Sequence, residues 1–252
     1  MTTQPPLPPH LALVTGGSRG LGEALCDQLT DDGWQVIELS RTAPHAYSVP
    51  IDLSDPASAT RSLDRLLLNR PAPPITALQS LLIINNAGTL DPIGPAAQQP
   101  ASALLANLHT NLCTPILVLA RLVAHFQATA CPKHLVNISS GAARTAYAGW
   151  SLYGAAKAGM EQFICCLAAE QARMPHPIVP INIYPGVIDT AMQTTIRACD
   201  EAQFPARDRF VQRHHSGALQ PPARVAAAIR RILARPDLQA GARYDVADHW
   251  PD

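Results

Sequence analysis

Tyr153 and Lys157 stand four residues apart in SLYGAAKAG, a spacing that puts two side chains on one face of a helix. A phenol normally titrates near pH 10, and a neighbouring ammonium stabilises the phenolate and lowers that value. Bringing it to about 7 takes roughly 4 kcal/mol. A phenol tuned in this way can give its proton to a carbonyl that is being reduced. Ser140, at the end of an apolar run, can hydrogen-bond the same oxygen as charge develops on it. A Tyr–Lys pair at this spacing is equally a common surface pair, so the surroundings decide between the two.

The second chemical signal is TGGSRGLG, residues 15–22, which follows the apolar run LALV. Its glycines, Gly16, Gly20 and Gly22, form TGxxxGxG rather than GxGxxG. Glycine lets a ligand approach the backbone, and a helix N-terminus offers free N–H groups and positive potential. With Ser18, Arg19 and Leu21, these glycines form a candidate pyrophosphate cradle; a plain tight turn between strand and helix is the alternative. About twenty residues on, the second strand ends in Ser40 and Arg41 rather than in an acid. A serine and a guanidinium suit a 2′-phosphate, which favours NADPH/NADP over NAD. Arg19 is placed to reach the same phosphate, unless both arginines are simply solvated. Glu38 is the rival acid, two residues back inside the strand.

These residues need elements to hold them. LALVT (11–15), QVIELS (35–40), LLIIN (81–85), HLVNIS (134–139) and VPINIY (179–184) read as buried strands, with YSVPI (47–51) and ARYDV (242–246) as weaker candidates. Helical patterns occupy 19–30, 55–69, 101–127, 151–173 and 222–235; in the first, Leu21, Ala24, Leu25 and Leu29 share a face. This alternation predicts an α/β fold, a doubly wound parallel sheet covered by helices on both faces. No repeat or linker divides the chain. The expected organisation is a disordered proline-rich tail at 1–9 and one domain over 10–252, with the less regular 191–220 as a substrate cover.

The bulk numbers narrow the function classes. The 252 residues suffice for a full core, and the net charge is zero, so no basic excess points to nucleic acid. The six cysteines show neither CxxC nor a zinc spacing, so no metal site is expected, and they read as small core residues in a reducing compartment. MTTQPPLPPH lacks the pattern of a signal peptide, and no apolar run is read as a membrane span. A cytoplasmic location follows as the expectation, with no nucleic-acid or membrane partner.

The motifs occur in one order: TGxxxGxG, NNAG (85–88), Ser140, Tyr153-xxx-Lys157 and PG (185–186). Together they resemble the short-chain dehydrogenase/reductase family, over about residues 10–246. The resemblance implies a Rossmann-type sheet of about seven strands and hydride transfer to or from a nicotinamide. INNAGTLDPIGP, SSGAARTAYAGWSLYGAAKAG and PGVIDTAMQ are most similar to the sepiapterin reductases and bacterial benzil reductases of that family. Both groups imply an NADPH-dependent reductase of a carbonyl beside another oxygenated carbon. An alcohol dehydrogenase of another small substrate and a non-catalytic NADP-binding sensor are the alternatives.

The resemblance carries further roles. Asn111 matches the fourth catalytic residue, beside Ser140, Tyr153 and Lys157. Pro115, four residues on, has no N–H, so the Asn111 carbonyl lacks its helical partner and can hold a water relaying protons to Lys157; a mere kink is the alternative. Asn86, Ala87 and Gly88 match the turn under the cofactor, and Asp52 and Leu53 the adenine contacts. Pro185, Gly186, Ile188 and Thr190 match the loop holding the nicotinamide amide, while Tyr153 and Lys157 also face the cofactor. Trp150 is either a pocket wall or a packed aromatic. Asp245, in GARYDVAD, resembles the aspartate that anchors the pterin ring in sepiapterin reductases; a strand-end acid is the alternative. The resemblance also implies a homodimer, or a tetramer, through the helices at 101–127 and 151–173. Ala120, Leu167 and Ala168 either serve that contact or pack on the sheet.

Overall fold

A computed structural model describes residues 10–69 and 78–250; the expected tail at 1–9 lies outside the described residues. Strands β1 (His10–Thr15), β2 (Gln35–Ser40), β3 (Ser48–Pro50), β4 (Ser80–Asn85), β5 (Lys133–Ile138), β6 (Val179–Tyr184) and β7 (Arg243–Asp245) form one sheet in the order β3-β2-β1-β4-β5-β6-β7. Every pairing is parallel. The strand order reverses at β1 and β4, which opens a crevice at their carboxyl ends. All the expected strands form, each within about two residues of its sequence bounds.

The strands are apolar on both faces because helices cover both. Leu11, Leu13, Leu81 and Ile83 point to one face, against α2 (Pro56–Asn69), α4 (Thr114–Phe126) and α5 (Ser151–Gln171). Ala12, Val14, Leu82 and Ile84 point to the other, against α1 (Gly20–Asp31) and α8 (Pro222–Leu233). The segment 191–220 contains two short helices, α6 (Ala191–Arg197) and α7 (Arg207–His215).

The pattern predicted one helix over 101–127. The chain instead runs as α3 (Ala101–Leu108), a π turn over His109–Cys113, and then α4. Here the Thr114 N–H bonds the His109 carbonyl, five residues back. A helix that must absorb a residue without an N–H can widen in this way. Within the run Ala101–Phe126 an 18-residue window reaches a mean hydropathy of 1.5, so by length and composition alone the run is long enough to cross a membrane, which corrects the reading that no apolar run is that long. Val118, Leu119, Leu122 and Phe126 pack one face onto the sheet, whereas Leu105, Leu117 and Ala120 are exposed. Leu167 is buried in the sheet-side core, and Ala168 is buried beside Gly241.

Buried Lys133 ends this run, its Nζ donating to the carbonyls of Phe126, Gln127 and Thr129 at 2.7–3.0 Å. A cation there satisfies orphan acceptors and complements the negative helix end. The cysteines depart from expectation: Cys26 is buried, but Cys113, Cys165 and Cys166 are exposed, and none of the six is bonded to another.

Candidate active site

Four strands deliver the site residues to one end of the sheet, and a chain of side-chain amides crosses three of them there. Asn85 Nδ2 donates to Asn137 Oδ1 at 2.9 Å, Asn137 Nδ2 to Asn182 Oδ1 at 2.8 Å, and Asn182 Nδ2 to the Glu161 carbonyl at 3.3 Å. Thr15 Oγ1 also bonds the Asn85 and Asn86 segment: it donates to Asn85 Oδ1 at 3.4 Å and accepts from the Asn86 and Ala87 N–H groups at 3.0 and 3.1 Å. Sequence reasoning missed this ladder. Its signal was an asparagine in each of three otherwise apolar central runs.

The glycine turn is built against NNAG. Asn86 Nδ2 donates to the carbonyls of Thr15 and Gly16 at 3.1 and 2.9 Å. Gly16 has φ +68°, and a Cβ there would lie 2.8 Å from Ala87 Cα. A Cβ on Gly22 would lie 2.2 Å from the Gly16 carbonyl oxygen and 2.5 Å from Asn86 Nδ2. Only glycine fits at either position. Arg19 is the exposed N-cap of α1 and makes no side-chain cap bond, so the first turn's donors are left without a capping side chain. Ser18 is half-buried beside it, while Leu21 turns inward to the core. A Cβ on Gly20 would sit 3.2 Å from the Thr190 methyl, which brings the PG loop over the turn. In that loop Gly186 packs near Val246, and the Gln220 segment pairs with Val187, Ile188 and Asp189. Pro185 begins it, directly after β6. Uncapped N–H groups at the switch point of a doubly wound sheet fit the pyrophosphate of a dinucleotide.

The proton-transfer residues converge beside this cradle. Ser140 follows β5; its hydroxyl accepts from the Ala142 N–H at 3.1 Å and lies close enough to the Tyr153 phenol to lower its pKa. Lys157 is 4% exposed; its Nζ donates to the Ile138 carbonyl at 2.9 Å and lies 5.8 Å from the Tyr153 ring centre. A Cβ on Gly88 would come 3.1 Å from Asn111 Oδ1 and 3.8 Å from Lys157 Nζ, so NNAG, the π turn and α5 meet there. Asn111 Oδ1 accepts from the Thr89 N–H at 2.9 Å, and its Nδ2 donates to the Thr89 carbonyl and Asn107 Oδ1 at 2.9 and 3.0 Å. The Asn111 side chain therefore clamps the loop after NNAG.

Burial pushes the Tyr153 phenol above its ordinary range, and the Ser140 hydrogen bond pulls only partly back. Burial lowers the Lys157 ammonium to about 8, with the Glu161 carboxylate opposing. Glu161, one turn after Lys157, is a residue that the sequence reading passed over. Its carboxylate takes the Ser139 hydroxyl at 2.5 Å and sits 3.3 and 3.4 Å from Arg144 and Arg243. Near pH 7 the arrangement holds a neutral phenol, able to donate a proton, beside a cation.

Other expected residues fall elsewhere. Trp150 is 6% exposed, stacked on Phe204 with ring centres 4.4 Å apart and edge-on to Tyr153 at 5.8 Å. Phe204 and Phe210 bring 191–220 over Tyr153. A cleft of about 730 Å³ opens between that segment and the loop after NNAG, lined by Asp91, Thr194, Thr195, Asp200 and Gln203 among others. Neither Trp150 nor Asp245 lines it. Asp245 reaches the same end of the sheet, but its Oδ1 takes the Ala247 N–H at 2.9 Å and caps the final turn. Leu53 is core, and Asp52 Oδ1 binds the Ser54 N–H and hydroxyl at 2.9 and 2.8 Å. Arg41 is exposed at the end of β2, and His214 and His215 are exposed on α7.

The short chain dehydrogenase family matches residues 10–201. A benzil reductase ((S)-benzoin forming) of Bacillus cereus is 30% identical over 241 residues, 91% of this chain and 96% of that protein. The sepiapterin reductase of Rattus norvegicus is 29% identical, covering 94% of this chain and 96% of its own. The crystal structure of the KRED1-Pglu enzyme superposes with a TM-score of 0.77 at 25% identity, over 93% of this chain and all of that one. With this sheet order and glycine turn, the chain belongs to the short-chain dehydrogenase family of oxidoreductases.

Proposed function

We propose that this protein is an NADPH-dependent carbonyl reductase that acts on a vicinal dicarbonyl or an α-hydroxyketone. The observation that carries this reading is the meeting of Asn111 and Lys157 at Gly88, with Tyr153 beside Lys157 and Ser140 beside Tyr153, next to the glycine cradle at the switch point. The dinucleotide, when bound, supplies hydride. Gly16, Ser18, Arg19, Gly20, Leu21 and Gly22 would hold its pyrophosphate, Asn86, Ala87 and Gly88 would hold its ribose and neighbouring groups, and Pro185, Gly186, Ile188 and Thr190 its nicotinamide amide. Asp52 and Leu53 would serve the adenine. Tyr153 gives its phenolic proton to the substrate oxygen, and Ser140 hydrogen-bonds that oxygen as charge develops. Lys157 holds positive charge under the phenol, and the Asn111 carbonyl anchors a water through which Lys157 regains its proton. The 191–220 segment covers the substrate, with Trp150, Phe204 and Phe210 backing Tyr153.

The aromatic cluster supports a flat, ring-bearing substrate, and the likeness to benzil and sepiapterin reductases supports the same class. Benzil is the favoured of the two, because Asp245 already spends one oxygen on its cap. NADPH oxidation with benzil and sepiapterin side by side tests the reading. Faster turnover of benzil is expected; a clear preference for sepiapterin would instead make Asp245 a pterin anchor, and inactivity on both would remove the substrate assignment. Arg41 supports NADPH over NADH. Arg41→Asp should raise the KM for NADPH about tenfold or more and leave that for NADH within about threefold. Equal effects would remove Arg41 as the selecting group. The exposed stripe of Leu105, Leu117 and Ala120 supports a homodimer, or a tetramer of two such pairs.

A further inference from the structure

We infer that Glu38 is a positioning residue that fixes the hydrogen-bond polarity of Ser40 and so weakens the chain's selection for a 2′-phosphate. The inference rests on the reading above that a dinucleotide's adenosine ribose lies at the end of β2. Glu38 is fully buried in β2, between Ile37 and Leu39. Its Oε1 accepts the Gly17 N–H at 3.0 Å, and its Oε2 accepts the Ser40 hydroxyl at 3.1 Å. One carboxylate thus ties the glycine turn to the residue at the mouth of the ribose site.

A serine hydroxyl has one hydrogen and two lone pairs. The Ser40 hydrogen is spent on Glu38, and one lone pair is spent on the Ala43 N–H at 3.1 Å. What remains for a ligand is a single acceptor. A ribose 2′-hydroxyl can donate to it, but a 2′-phosphate oxygen is itself an acceptor and gains nothing. Ser40 was expected to act as a phosphate donor; in this hydrogen-bond pattern it opposes the phosphate and leaves selection to the arginines. Glutamine at 38 reverses the polarity. Its carbonyl keeps the Gly17 bond, its amide donates to Ser40 Oγ, and the Ser40 hydrogen is released to point outward.

The test is calorimetric titration of the full chain with adenosine 2′,5′-bisphosphate and with 5′-AMP, which needs neither substrate nor turnover. Glu38→Gln should tighten the bisphosphate about tenfold and leave 5′-AMP within about twofold, because a charge-assisted hydrogen bond is gained by one ligand only. Ser40→Ala alone should leave bisphosphate affinity within about twofold, and combined with Glu38→Gln it should erase most of the gain. An unchanged ratio of the two affinities in Glu38→Gln, or a gain that survives Ser40→Ala, overturns the inference. So does a fivefold or greater loss of bisphosphate affinity in Ser40→Ala alone, a result that does not depend on how Glu38→Gln folds. The reading beneath it fails differently: the wild-type chain would then bind the bisphosphate no more tightly than 5′-AMP.

Discussion

Tyr153→Phe should cut the rate of ketone reduction by about a hundredfold to ten-thousandfold while leaving the fold and dinucleotide affinity intact. The change removes one oxygen. The ring keeps its edge-on contact with Trp150, 5.8 Å between centres, and its place among Phe204 and Phe210. What disappears is the proton that Ser140 helps to align. Single-turnover NADPH oxidation, with nucleotide affinity from fluorescence quenching, separates the two quantities. A loss of less than about tenfold would exclude Tyr153 as the donor. The pH profile belongs to the same test. Burial raises the phenol, so Tyr153 stays protonated through neutral pH. The Lys157 ammonium titrates at about 8, and its charge is present below that pH and lost above it. kcat/KM for reduction, which reports the free enzyme, should therefore fall as pH rises through about 8.

Gly22→Ala should be nearly as damaging, by a different route. The added carbon would meet the Gly16 carbonyl at 2.2 Å and the Asn86 amide at 2.5 Å, and the first of these is backbone. Asn86 cannot yield cheaply either, because it holds the Thr15 and Gly16 carbonyls. Overpacking at such a point costs about 3 kcal/mol, a fall in melting temperature of roughly 6–12 °C for a chain of this size. Dinucleotide affinity should fall at least tenfold, since the cradle's two walls are pushed apart. Calorimetry and nucleotide titration would show both losses. Wild-type melting with wild-type affinity would mean that the turn has slack the geometry does not show.

The fold was legible because its signals are local. Each of the five central strands is a mainly apolar run of the right length, and each long helix carries a periodic face. The proton-transfer residues were legible from spacing and order along the chain. What escaped depended on contacts between distant residues. Pro115 announces a missing donor, but the Asn111 side chain within the π turn is held by Thr89, 22 residues away. Glu38 is visible as an acid in a strand; its partner Gly17 lies 21 residues before it. Trp150 is a wall or a core residue according to where Phe204 folds, and 191–220 has little periodicity to say so. Asp245 reads as a ligand in a short matching motif, yet a cap to Ala247 takes one of its oxygens first.

The row of asparagines has a consequence for how accurately the site is assembled. Parallel strands whose apolar positions are mostly Leu, Ile and Val offer several alignments of similar apolar burial. A slip of one residue moves everything beyond a strand end by about 3.3 Å, enough to separate a proton donor from its acceptor. Apolar packing penalises such an error weakly at strand ends. Amides penalise it heavily, because Asn85, Asn137 and Asn182 meet in only one alignment and a buried amide left without its partner is costly. The ladder therefore works as an alignment key. It sits at the carboxyl ends, so the tolerance is tightest where NNAG, Ser140 and the PG loop leave the sheet.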